Sequence, residues 1–252
     1  MRFGYRSDIG KCRENNEDSF FVDEKMGLFI IADGMGGHNG GEVASKLAVQ
    51  TTDSFIRERI DTLRTDDEVC HLLSEAIKVA NGRIFEAGEQ DVSLRGMGAT
   101  LSIVLCCGKK AHISHIGDSR IYLIRNRKIL QLTKDHSIVA ELIREGRLSP
   151  EKAKTHHLRN MLSQVVGVSY QLTPDNFSID MESGDYLLLC SDGLTNMVRE
   201  DEILSIVQNE RNSLFHCCNE LVDLANNNGG ADNITVIVVQ QNNTEKRGQK
   251  KW

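Results

Sequence analysis

The stretch Leu28–Ser45, LFIIADGMGGHNGGEVAS, changes character twice. Leu28–Ala32 is a short apolar run of strand length, closed by Asp33-Gly34. A glycine-rich loop follows, and then Ala44, Leu47, Ala48, Thr51 and Phe55 recur with a helical period. The reading is strand, acidic turn, long amphipathic helix. A second helical stretch comes next, marked by Val69, Leu72, Leu73, Ala76 and Ala80.

Outward from this unit, further apolar runs have strand length: Phe20–Val22 before it, and Leu101–Cys107, Ala111–Ile116, Ile121–Ile124, Tyr186–Cys190 and Ile234–Val239 after it. Two shorter helices fit Glu200–Asn209, acidic in its first turn, and Ser213–Asn226, with Ser213 as its cap. Strands precede the two long helices, more strands follow them, and two helices return before a last strand. That order is α+β with antiparallel sheets, not the strict alternation of a doubly wound fold. Between Asp135 and Gly167 the pattern turns polar and short-helical, with Ser149-Pro150 as an N-cap followed by proline, and this segment reads as a flap inserted in the same domain. One domain is expected over residues 1–241, with a polar tail at 242–252 and no internal repeat.

The 252 residues are 40% hydrophobic and 26% charged, the balance of an ordinary globular chain. A net charge of −6 provides no basic field to hold a polyanion, which argues against nucleic acid as a partner. Seven cysteines, with adjacent pairs at Cys106-Cys107 and Cys217-Cys218 and no C-x-x-C, point to reduced thiols rather than a disulfide framework. No run approaches the length of a membrane span, and the first residues lack a signal-peptide pattern. A cytoplasmic protein without a membrane partner is the expectation, and a monomer, since no coiled-coil seam is readable.

The pattern that carries chemistry is that apolar runs keep meeting aspartate. LFIIADG reaches Asp33, HISHIGD reaches Asp118, YLLLCSDG reaches Asp192, and the last strand begins just after Asp232. The end of a strand is the rim of a sheet, where a carboxylate can be half-buried and aimed at a shared point. With Glu17 and Asp18 these residues can form one acidic cluster, which needs cations or protons to be tolerable. Hard carboxylate and carbonyl oxygens suit Mg²⁺, Mn²⁺ or Ca²⁺, and none of the acidic segments offers His or Cys at a ligand spacing for zinc or copper. Taken singly, Asp-Gly after a strand is an ordinary turn signal; four such aspartates together are harder to read that way. The glycine-rich loop lacks the Lys-[Ser/Thr] ending of a phosphate-binding loop, and its acidic start would repel a nucleotide.

The segments SDIGKCRENNEDSF, IIADGMGGHNGGEVAS, GMGATLSIVL, HIGDSRIYLIR, LTKDHS, LLLCSDGL and GGADNITVIVV, in this order, closely resemble the metal-dependent serine/threonine phosphatases of the protein phosphatase 2C type, in particular compact bacterial members. The resemblance implies a four-layer α-β-β-α sandwich, two antiparallel sheets flanked by helix pairs, with two Mn²⁺ or Mg²⁺ ions at one end. It implies that Asp33 bridges both ions, that Gly34 offers a carbonyl oxygen, and that Asp192 and Asp232 are direct ligands. Asp18 corresponds to an outer carboxylate, and Asp118 to a ligand of a third, weaker ion. Arg13 corresponds to the arginine that grips the substrate phosphate, and His38 to a histidine proposed to protonate the leaving oxygen. The implied reaction is hydrolysis of phosphoserine and phosphothreonine on proteins by a hydroxide bridging the two ions, a chemistry that needs no protein nucleophile. A bacterial Ser/Thr protein kinase and its targets are the implied partners, and the flap lies where family members contact phosphoproteins. Two departures stand out: Ala99 replaces a threonine common in relatives, and HLRNMLSQVVG is a looser version of the stretch after the flap. Two rival readings are a binding or regulatory module that keeps the fold without chemistry, marked by loss of metal aspartates, and a two-metal phosphodiesterase or nuclease, which would need a basic nucleic-acid track.

Overall fold

The computed structural model describes residues 1–37, 40–153, 155–209 and 213–241, so His38 and the 242–252 tail lie outside the described residues. The chain opens with strands β1 (Arg2–Asp8), β2 (Asp18–Asp23) and β3 (Leu28–Met35), then helices α1 (Gly40–Arg59) and α2 (Asp66–Gln90). Strands β4 (Gly98–Ala99), β5 (Leu101–Cys107), β6 (Lys110–Ile116), β7 (Arg120–Arg125) and β8 (Lys128–Gln131) follow. Two short helices, α3 (Ile138–Arg144) and α4 (Pro150–Ala153), lie in the expected flap. Strands β9 (Asp175–Asp180) and β10 (Tyr186–Cys190), helices α5 (Asp192–Thr195), α6 (Glu200–Val207) and α7 (Leu214–Asn227), and strand β11 (Ile234–Gln240) complete it.

The strands form two antiparallel sheets. The first runs β1-β11-β10-β7-β8, and the second runs β2-β3-β5-β6-β9 with β4 paired to β3. Their central strands are apolar throughout because both faces are covered. Along β3, Leu28, Ile30 and Ala32 pack under α1 and α2, while Phe29 and Ile31 point between the sheets. In the other sheet, Val236 and Val238 of β11 and Leu188 of β10 face α6 and α7, while Ile237, Val239, Leu187 and Leu189 face inward. Successive side chains of a strand alternate faces, so one apolar run serves two cores. The result is the four-layer sandwich of helices, sheet, sheet and helices.

Local signals set the helix boundaries. Helix α2 starts with a capping box in which Thr65 accepts from the Glu68 N–H and the Glu68 carboxylate accepts from the Thr65 N–H. Ser213 caps α7 by accepting from the His216 N–H at 3.2 Å, and Ser149 accepts from the Lys152 N–H at the start of α4. The sequence reading missed β1, β4, β8 and β9, whose residues carry no apolar run, and α5. It also ended the third strand at its aspartate, whereas β3 continues to Met35 and Asp33 lies within it. The flap closes at its base, where the Ser163 N–H donates to the His136 carbonyl at 2.8 Å and the Ile138 N–H to the Met161 carbonyl at 2.9 Å. All seven cysteines are free thiols; Cys190, Cys217 and Cys218 are buried and Cys12 is exposed.

Leu221 of α7 is fully buried against the first sheet. Leu221→Ala is expected to cost about 2–5 kcal/mol through lost burial and a cavity, whereas Thr65→Ala, which removes only the exposed cap of α2, is expected to cost about 1 kcal/mol. Urea unfolding of both variants measures the difference.

Candidate metal centre

The antiparallel register of β2 and β3 sets Asp18 directly opposite Asp33, so the second sheet brings two carboxylates to one edge. The first sheet meets them there. Ser191, just past β10, donates its hydroxyl to Asp18 Oδ2 at 2.8 Å and accepts the Thr235 N–H at 2.9 Å. One buried hydroxyl thus ties both sheets at this end. Asp192 is the first residue of α5, Asp232 lies just before β11, and Asp118 sits in the turn between β6 and β7. Asp18 is buried, and Asp33, Asp118, Asp192 and Asp232 are half-buried.

Gly34 follows Asp33 where β3 meets the start of α1. A Cβ at this position would stand 2.0 Å from the Gly41 carbonyl oxygen and 2.6 Å from that of Glu17, so only glycine allows the approach. The loop bearing Arg13 is pinned from the opposite side. Asn233 donates to the carbonyls of Ile9 and Asn15, both at 2.9 Å, and accepts the Glu17 N–H at 2.8 Å. The Gly230 carbonyl accepts from the Lys11 N–H at 2.7 Å. So held, Arg13 places its guanidinium on Asp232 Oδ2 at 2.8 Å. Beyond Asp118, Arg120 grips Asp135 with two nitrogens at 3.0 and 2.6 Å, fixing the first residue of the flap to β7. Sequence reasoning missed Ser191, Asn233 and Arg120 as parts of the site, although each lies inside a motif it had marked for its aspartate. A groove of about 520 Å³ opens beside the centre between Met35 and the flap residues Met161, Leu162 and Val165.

The carboxylates crowd one another. Burial, with the charges of Asp192 and Asp232, pushes Asp18 up to about 7 against the pull of the Ser191 hydroxyl. Burial and the Asp192 and Asp135 charges hold Asp118 at about 7, and burial with the Asp232 charge holds Asp192 at about 6. Asp33 lies well above the usual carboxylate range, first through burial and then through the charges of Asp18, Asp192, Asp118 and Asp232. Asp18 Oδ1 and Asp192 Oδ1 are buried with no hydrogen-bond partner among the described residues. Among the described residues no three His, Cys, Asp or Glu side chains already stand as a finished ligand set. Arg13 holds one oxygen of Asp232, and Asn196 holds Oδ2 of Asp192 at 3.0 Å. Orphaned carboxylate oxygens, mutual repulsion and an all-oxygen donor set fit a hard divalent cation, and these side chains would adjust to take it.

These shifts give the metal-free protein a pH signature. Between about pH 4 and 7 the folded chain holds protons on Asp18, Asp33, Asp118 and Asp192 that the unfolded chain has released, so stability falls as pH rises through that window. His115, held down to about 4 chiefly by burial, opposes this below about 6.5, as do His112 and His136, both also lowered chiefly by burial. After chelation the protein is expected to lose stability from pH 5 to pH 8, seen as a lower melting temperature. Mn²⁺ should restore it at pH 8, and Asp33→Asn should raise the metal-free value there while abolishing the Mn²⁺ response. Thermal unfolding at the two pH values checks all three.

Known proteins resemble the chain in both sequence and fold. A family model described as Protein phosphatase 2C matches residues 11–220. Protein phosphatase PhpP from Streptococcus pneumoniae is 41% identical over 246 residues, covering 96% of this chain and 98% of the relative. The solved serine/threonine phosphatase PstP/Ppp of Mycobacterium tuberculosis superposes with a TM-score of 0.86 at 36% identity, covering 96% of this chain and 98% of that one. A structure of the PstP catalytic domain in complex with 2 manganese ions gives a TM-score of 0.82 at 36% identity, with coverage of 95% and 97%. Matched in sequence and in fold over nearly its whole length, this chain belongs to the protein phosphatase 2C family, the metal-dependent serine/threonine protein phosphatases.

Proposed function

We propose that this phosphatase removes phosphate from phosphoserine and phosphothreonine in proteins at the acidic centre, with Asp33, the Gly34 carbonyl, Asp192 and Asp232 holding two Mn²⁺ or Mg²⁺ ions. Asp18 supports the inner ions from its buried place beside Ser191, and Asp118 serves a third. The observation that carries this assignment is the convergence of five aspartates from both sheets, two of them with a buried oxygen that nothing among the described residues satisfies. Hard divalent cations bound there supply Lewis-acid activation of water and neutralise charge on a phosphoryl group.

The chain's own residues account for the rest. Arg13 is half-exposed and engages Asp232 through one nitrogen, and its planar fork suits two oxygens of a phosphate. The Asn233 hydrogen bonds keep the Arg13 loop against the centre. The groove between Met35, two residues past Asp33, and the flap can receive polypeptide flanking the phosphoresidue. His38, outside the described residues, is the resemblance-based donor of the proton to the leaving seryl or threonyl oxygen. Single-domain organisation over residues 1–241, a monomeric state, a cytoplasmic location and opposition to a bacterial Ser/Thr kinase complete the reading. No helix among the described residues is long and apolar enough to cross a membrane.

Hydrolysis of a phosphothreonine peptide and of p-nitrophenyl phosphate, in Mn²⁺, in Mg²⁺ and after chelation, tests the assignment. Release should require the metal and vanish in Asp192→Asn with the fold retained; chelator-resistant release, or full activity in the variant, refutes it. Arg13→Ala is expected to lower kcat/KM for the peptide by about 10–100-fold, the scale of a charged hydrogen bond to phosphate. Steady-state kinetics at saturating Mn²⁺ measures that loss.

A further inference from the structure

Thr100 stands across from Asp33. The partners of β3 run Ile31↔Ser102 in β5 and Gly34↔Ala99 in β4, which leaves residue 100 opposite residue 33. A hydrogen-bonded pair in an antiparallel ladder normally exchanges two backbone bonds. Here the backbone makes only one: the Thr100 N–H donates to the Asp33 carbonyl at 2.9 Å. The return bond runs from the Asp33 N–H to the Thr100 side chain, Oγ1, also at 2.9 Å. Regular strand is interrupted at this residue, between β4 and β5.

The same hydroxyl lies 2.7 Å from Ser119 Oγ in a buried contact. It accepts from the Asp33 N–H and still has capacity for a bond with Ser119 in either direction. The methyl side of Thr100 meets Gly117, where a Cβ would come within 2.5 Å of Thr100 Cγ2 and where φ is +107°. One side chain therefore touches the residues on both sides of Asp118 and also fixes the main chain of Asp33. Thr100 is 2% exposed and Ser119 fully buried, so water cannot replace either bond.

We propose that Thr100 is a positioning residue that sets the spacing of the Asp33 and Asp118 carboxylates for divalent-cation binding, an inference that rests on reading those aspartates as cation ligands. The geometry explains why the residue is threonine. Its hydroxyl and methyl serve different segments, and its β-branch restricts χ1 so that both contacts hold together. Serine keeps the two hydrogen bonds and loses the methyl; valine keeps the shape and orphans the Asp33 N–H.

The test uses the full chain and Mn²⁺ alone as the probe, with binding followed by calorimetry and by the electron paramagnetic resonance of free Mn²⁺, and folding by circular dichroism. Thr100→Val is expected to weaken Mn²⁺ binding by about tenfold or more, the scale of a buried donor left unpaired, while Thr100→Ser stays within about twofold of wild type. Ser119→Ala should also weaken binding, and the double variant Thr100→Val/Ser119→Ala should be no worse than Thr100→Val alone, because both act through one bond. Unchanged Mn²⁺ affinity in Thr100→Val, equal losses in the Val and Ser variants, or strictly additive losses would overturn the proposal. If Thr100→Val does not fold, unchanged affinity in folded Ser119→Ala overturns it instead. Wild-type affinity in Asp33→Asn, by contrast, would overturn the underlying cation assignment.

Discussion

Repulsion among carboxylates is the constraint around which this molecule is arranged. Asp18, Asp33, Asp118 and Asp192 are held where burial and one another's charges lift all four above the ordinary carboxylate range. Such a group disperses unless its backbone is fixed by something stronger than the repulsion. The fixing comes from strand pairing, from Ser191 bridging Asp18 to Thr235, from Thr100 bridging Asp33 to Ser119, and from Asn233 clamping the Arg13 loop. Within the described residues the single direct cationic contact to a member of the cluster is the partly exposed Arg13–Asp232 pair. The polar scaffold keeps the charges close without neutralising them, which is the state a divalent cation exploits.

The two sheets make that rigidity possible. Each central strand packs helices on one face and the other sheet on the opposite face, so a displacement of β3 or β10 would disturb two cores at once. The acidic residues lie just outside those cores, close enough to inherit their rigidity and open enough to meet solvent. The flap is built differently. Its helices are short and α3 has no buried residue, while its two ends are held, the first by the Arg120–Asp135 pair and the backbone bonds around His136, the second by the Ala99–Val166 bridge and the Asn81 side chain on the Gly167 N–H. The flap is thus fixed at both ends, with short helices and few buried side chains between them.

Much of this was legible in the residues. Runs such as LFIIA and ITVIVV are apolar on both faces, and the long helices repeat every three to four residues, so central strands, long helices and the α+β order followed from pattern alone. The aspartates were legible because each interrupts an apolar run. The peripheral strands were not. In β9, DNFSID, only Phe177 and Ile179 turn inward, and β1 places Gly4 where an apolar side chain was sought. The supporting polar residues were also hidden, because a serine, threonine or asparagine has many ordinary uses. Nothing in the letters distinguishes Thr100, with two hydroxyl partners, from Thr52, whose buried hydroxyl has none. Only the tertiary register gives them different meanings.

The pairing of β1 with β11 has a consequence for how the protein is made. The first strand lies beside the last, with Arg2 opposite Gln240, and β11 also separates β1 from β10. A growing chain that has emerged as far as α7 therefore has β1 with no neighbour in its own sheet, and it has no Asp232. Closure of the first sheet and delivery of Asp232 to the acidic centre therefore depend on the same segment, through contacts between strands far apart in sequence. A chain without β11 would lose at once the neighbour that β1 and β10 share and the aspartate that precedes it.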